Sequence, residues 1–217
     1  MAALAAVGVT SLATPAPAPA TRLHWRDGLP TLHGSIVSLR ELRPSDAAAM
    51  LASLGSAEVT RLISPPPPTV EGFEKFIAWT IRQRHEGKSI AYGMTIKGSD
   101  TVIGLFQVRS ITPGFHTAEW GFALSSAFWG TGVFMDAAHL VLDFAFDTLH
   151  VHRMEAKAAV RNGRGNGALQ KLGMLQEAVL RRSFLRHGVY LDQACWALLV
   201  DTWRERRSTA REVRVVH

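Results

Sequence analysis

The sequence predicts a mixed α/β domain of three layers, a mostly antiparallel sheet flanked by helices. Strand-like segments at 91–96, 101–108 and 116–124 follow one another through short turns, the pattern of an antiparallel meander. The period then changes: from Gly132 to Leu149, apolar residues fall at 134, 137, 138, 141, 142, 145 and 149, as on an amphipathic helix. A strand, a short helix and a hairpin come after it, and two strands joined by a helix favour a parallel pair within the sheet.

Length and composition agree with one packed domain. With 217 residues, 47% hydrophobic and 19% charged, the chain can bury a core without disulfides or structural metal. Cys195 is the single cysteine and lies in the apolar run 194–200, so it reads as a small buried hydrophobe in a reducing, cytoplasmic setting. Residues 1–20 are rich in Ala and Pro but lack a basic n-region, and their apolar run stops at Thr14-Pro15. We therefore expect a flexible leader at 1–30, a domain at 31–203 and a basic tail at 204–217. Nothing later approaches the 18 or more apolar residues of a membrane span, so no membrane partner is expected.

Along the domain, Ile36 to Leu39 reads as a short strand, and Pro44-Ser45-Asp46 opens a helix through Ala47 to Leu54 with Ser45 as its N-cap. Pro65 to Pro68 form a stiff extended connector. The next helix, Thr69 to His85, carries Phe73, Phe76, Ile77 and Ile81 on one face. Lys97-Gly98-Ser99-Asp100 is a hairpin turn inside the meander. Beyond the long helix, Met154 to Val160 reads as a strand, Gly167 to Leu172 as a short helix, and Val179 to Phe184 and Asp192 to Val200 as strands.

The most informative stretch runs from Glu119 to Phe134, where a strand ends in the loop Trp129-Gly130-Thr131-Gly132 that opens a helix. At a helix start the free amides and the positive dipole end point the same way, and glycines let an anion approach the backbone. That makes a phosphate cradle. No Gly-Lys-Ser/Thr follows, which excludes a P-loop, and the glycine spacing falls short of a dinucleotide fingerprint.

Glu119-Trp120-Gly121-Phe122, Trp129-Gly130-Thr131-Gly132-Val133, Asn162-Gly163-Arg164-Gly165 and Leu169-Gln170-Lys171-Leu172-Gly173-Met174 resemble, in order and spacing, the GNAT superfamily of N-acetyltransferases. The resemblance covers about 36–200 and is closest to the branch of ribosomal-protein N-terminal acetyltransferases. It implies a GNAT-like three-layer fold whose sheet is splayed, with acetyl-CoA as co-substrate. Trp129, Gly130, Thr131, Gly132, Val133 and Phe134 would bind the diphosphate of coenzyme A. Phe122, Ala123 and Leu124 would offer main-chain groups to the pantetheine arm, with a bulge there parting two parallel strands, and Asn162 would stand beside the cofactor. Two departures matter. Phe134 is bulky where the family has Gly or Ala, and Gly165 and Leu169 replace a serine and a tyrosine found in other members, which leaves the general acid unassigned.

An amine attacks a thioester only as the free base, and near pH 7.5 roughly a third of an α-amine but about 0.1% of a lysine side chain is unprotonated. A base therefore helps, and Glu119, on the strand before the cradle, is the candidate, acting through water. A surface carboxylate paired with an arginine is the competing reading of that residue. The expected partner is a primary amine, either a protein N-terminus or a small molecule, and a homodimer is compatible with the sequence.

Two other functions compete with this one. A module that binds or senses acyl-CoA without chemistry is suggested by Phe134, Gly165 and Leu169. Nucleic-acid binding is suggested by the net charge of +6 and the late arginines, but no aromatic-plus-basic strand motif or zinc pattern supports it. Asp136, His139 and Asp143 share a helical face, which reads as a polar stripe, and no metal is expected.

Overall fold

A computed structural model describes residues 24–215 of the chain. The elements run in order β1 (Leu32–His33), β2 (Val37–Glu41), α1 (Ala47–Leu54), α2 (Ala57–Thr60), α3 (Val70–His85), β3 (Ser89–Ile96), β4 (Val102–Ser110), β5 (Thr117–Leu124), α4 (Val133–Asp147), β6 (Arg153–Ala159), α5 (Gly163–Lys171), β7 (Leu175–Arg186), β8 (Val189–Leu199) and α6 (Val200–Val215). All eight strands form one sheet in the order β1-β2-β3-β4-β5-β6-β8-β7. Among the described residues, only β5 and β6 pair in parallel, across the α4 crossover, so the expected mixed sheet is present.

Apolar alternation on the strands fills two cores, one on each face. On one face, Leu42, Met50, Leu54, Phe73 and Ile77 pack α1 and α3 against Ala91 and Val102. On the other, Val133, Ala137, Val141 and Phe144 of α4 cover Tyr92, Phe106 and Trp120. Three layers result, because each sheet face needs a helical cover to leave water.

Several boundaries differ from the sequence reading. The strand expected at 36–39 is β2, the reading missed β1, and Ser45 is not an N-cap. Pro44–Asp46 form a 3-10 turn, in which the Asp46 carboxylate accepts the Arg43 N–H at 2.7 Å and clamps the buried Arg40 guanidinium with two bonds of 2.8 Å. The reading missed α2, a four-residue helix capped by Ser56. Thr69 caps α3 through Gly72 N–H, so that helix falls where its period put it. α5 starts at Gly163 instead of Gly167, because Asn162 caps it. Cys195 is half-buried, not buried.

At the ends, residues 1–23 of the expected leader lie outside the described residues, while Trp25 and Leu29 pack on the core. The stretch expected to be strand and basic tail turns into α6 at Val200. Trp203 is the reason it docks: it is buried, and its indole N–H donates to Asp143 at 2.9 Å. Among the described residues, no helix is long and apolar enough to cross a membrane.

Candidate active site

The central feature is a gap between two parallel strands. β5 and β6 pair at Thr117 with Arg153, Ala118 with Met154 and Glu119 with Glu155, and there the pairing stops. β5 continues to Leu124, bonded to β4 in unbroken register, while β6 continues to Ala159, bonded to β8. The strands part because each follows the twist of its other neighbour. The splay implied by the resemblance is therefore present, but the bulge on β5 is not. From Trp120 to Leu124, the β5 edge that faces β6 has no strand partner among the described residues.

At the open end of the gap, the chain turns through Ser126–Phe128 and enters the loop. Trp129 N–H is spent on Ser126, and the indole Nε1 donates to the Leu124 carbonyl at 3.0 Å, which pins the loop to the strand end. Gly130 and Gly132 take φ of 79° and 87°, a left-handed conformation that favours glycine. Helix α4 then starts at Val133. Among the described residues, no acceptor reaches the main-chain amides of Gly130 through Met135, whereas the next one, Asp136 N–H, bonds to Gly132 at 3.1 Å. A row of unpaired donors at the positive end of a 15-residue helix has the electrostatics to hold an anion.

Phe134 does not spoil this arrangement. Its ring rests on Phe122 at 4.6 Å and Phe106 at 5.5 Å, which draws its bulk onto the sheet. The loop, the end of β5 and the start of α5 enclose a cleft of about 660 Å³, whose far wall is the segment Glu58 to Ile63. Phe122, Ala123, Leu124, Trp129, Gly130, Gly132, Phe134 and Asn162 all line it; Thr131 and Val133 belong to the same loop but not to the lining.

Asn162 has two duties. Its Oδ1 accepts Gly165 N–H at 3.0 Å as the α5 cap, and its side chain borders the cleft. A Cβ at Gly165 would come within 2.7 Å of Asn162 Nδ2, so a serine there would displace that amide. Leu169 is 1% exposed and packed in the core.

Glu119 stands at the vertex of the gap, on the sheet face that α1 and α3 cover further along. It does not line the cleft, and its carboxylate is paired with Arg109 at 2.9 Å and Lys157 at 3.6 Å. The pairing with an arginine, the competing reading of Glu119, is thus formed.

The stripe Asp136, His139 and Asp143 is occupied by other work. Asp136 accepts four bonds, from the Ser35 N–H and hydroxyl and from the Ile36 and Val37 amides, and holds the β1–β2 turn against α4. Asp143 takes the Trp203 indole and Arg207.

Sequence reasoning missed the α2 wall and three cleft cations, Arg161, Arg164 and Lys171. Arg164 lies 3.7 Å above the Trp129 ring. Arg164 and Lys171 stand inside the quoted motifs 162–165 and 169–174, but a lone cation beside a cap or at a helix end carries no label of its own.

Comparison with known proteins agrees with this geometry. Residues 37–175 match the family model for the acetyltransferase (GNAT) domain. The probable N-acetyltransferase YjcK of Bacillus subtilis is 33% identical over 132 residues, 60% of this chain and 73% of that one. The [ribosomal protein uS5]-alanine N-acetyltransferase of Escherichia coli is 24% identical over 123 residues, 56% of this chain and 63% of that one. Among solved structures, Mycobacterium smegmatis RimJ in complex with CoA-disulfide superposes with a TM-score of 0.72 at 20% identity, covering 79% of this chain and 87% of that one, a likeness of fold. With its splayed sheet, its unpaired amide row and a family match across most of its described residues, the chain belongs to the GNAT family of N-acetyltransferases.

Proposed function

We propose that the chain transfers an acetyl group from acetyl-CoA to a primary amine, a protein N-terminus or a small molecule, by direct attack of the amine on the thioester. The observation that carries this is the amide row from Gly130 to Met135, left without acceptors next to a strand edge left without a partner. The row suits a diphosphate, and the β5 edge suits an arm with two amides, which adds to it as a peptide adds to a sheet. From Leu124 back to Glu119 is about 17 Å of strand, enough to carry an extended arm from the loop to the vertex. Acetyl-CoA supplies an activated acyl group; the protein binds it, aligns it and receives the proton of the incoming amine. Glu119, one of two carboxylates at the vertex, takes that proton through water, and Arg109 and Lys157 hold its carboxylate in place.

A thiol-release assay over N-terminal peptides and small amines tests the proposal. Turnover with at least one amine, together with acetyl-CoA binding by calorimetry, is expected; no turnover and no binding would end it. The ion-paired state of Glu119 also favours a second reading, a module that binds acyl-CoA without chemistry. Tight acetyl-CoA binding with no release of thiol for any acceptor would select that one.

A further inference from the structure

The cleft carries more positive charge than an amide row needs. Arg61, Arg161, Arg164 and Lys171 line it, against one carboxylate, Glu58. Among the described residues, none of the four cations takes part in an ion pair. Cations left unpaired around a concave wall, where the field of each adds to the next, attract a multiply charged anion.

Two of them are organised. Arg164 and Lys171 are seven residues apart on α5, hence on one face and about 10 Å apart along the axis. Gly167 and Ala168 lie between them and also line the cleft, so nothing taller than a methyl rises from that face. The Trp129 ring under the Arg164 guanidinium holds it at the rim, and a stacked arginine keeps the N–H donors at its edge free for a planar or anionic partner. Arg206 of α6 donates to the Lys171 carbonyl at 3.3 Å and adds a further charge at that end.

Given the coenzyme A reading above, on which this rests, the arm runs along β5 and the diphosphate sits on the loop. The nucleotide is then left with the α5 wall. We propose that Arg164 and Lys171 form a phosphomonoester site there, which takes the 3′-phosphate of coenzyme A while Gly167 and Ala168 make room for the nucleoside. The amide row accounts for the diphosphate; the side-chain cations select the second phosphate group.

Calorimetric titration of the full chain with coenzyme A and with dephospho-CoA, at one ionic strength, isolates that group. A charge-assisted hydrogen bond is worth about tenfold in affinity, so the wild type is expected to prefer coenzyme A by about tenfold or more. In R164Q and K171Q the preference shrinks and in the double variant it disappears, because coenzyme A loses more affinity than dephospho-CoA does, and an unchanged circular dichroism spectrum and thermal midpoint show the fold is intact. R181Q, which removes an equal charge outside the cleft, keeps the preference. Equal binding of the two compounds by the wild type, or an unchanged preference in the double variant, overturns the phosphate site alone. Failure of the wild type to bind either compound overturns the coenzyme A reading and this one with it.

Discussion

Glu119 of β5 and Glu155 of β6 face one another as the last residues that the two parallel strands share. Beyond them the sheet opens, so the carboxylate of Glu119 stands where an unpaired strand edge begins. The loop of unpaired amides closes the other end of that edge.

Glu119→Gln keeps the side-chain volume and removes the proton acceptor. The expected result is a fall in kcat of about 10²-fold or more, with the dissociation constant for acetyl-CoA unchanged, because the side chain does not line the cleft. Steady-state kinetics with calorimetry on the same preparation check this, and an unaltered kcat would remove Glu119 from the chemistry.

Gly132→Ala places a side chain at φ of 87°, where a Cβ costs about 1–2 kcal/mol, although the nearest atom, Ile36 Cδ1, is 3.7 Å away. Strain relieved by turning the loop would misdirect the amides. The KM for acetyl-CoA is expected to rise about tenfold, more than kcat falls, with the amine KM unchanged. Bisubstrate kinetics separate the three constants.

Asp136 links stability to pH. Burial pushes its carboxyl up, but the donors of Ile36, Ser35 and Val37 outweigh it and hold the group below the ordinary carboxylate range. A depressed folded-state value means a contribution fully present above the unfolded value of about 3.9 and lost as pH falls through the folded one. Asp136→Asn should cost about 2 kcal/mol near pH 7, and urea denaturation should show the gap to wild type closing below about pH 4.

Asp46→Asn strips the bidentate partner from Arg40, which is 7% exposed. Leaving a buried guanidinium half-paired costs about 3 kcal/mol, even with Asp100 still bound at 2.5 Å. Thermal unfolding should move down by about 6–12 °C. A shift under 2 °C would show that water or Asp100 replaces the lost partner.

What was legible in the sequence was what repeats with a period. The α4 pattern from 134 to 149 and the Phe73 and Ile77 spacing of α3 gave helices at their observed places, and the turn at 97–100 gave the β3–β4 hairpin. Pairs distant in the chain left no such trace. Asp136 is about a hundred residues from the amides it binds, and Trp203, at the end of the expected domain, carries no label until Asp143 is beside it. α2 spans a single turn, too short to show a period.

The candidate site was half legible for the same reason. A loop that opens a helix is local, so the stretch 129–134 could be read as an anion cradle from its own residues, whereas Asn162 entered through the family resemblance. The α2 wall and the face of α5 that bears Arg164 and Lys171 meet the loop only through the fold. The splay likewise arises from strand partners, β4 on one side and β8 on the other, and not from a bulge that a local motif would announce.

The central claim is that the main-chain donors of residues 130–135 and the open edge of β5 hold one ligand together. Titrating ¹⁵N-labelled protein with coenzyme A and following amide shifts tests it most directly. The account predicts that the largest changes fall on Gly130 to Met135 and on Gly121 to Leu124, at one shared affinity. Saturable changes confined to other parts of the chain, with these amides still, would contradict it.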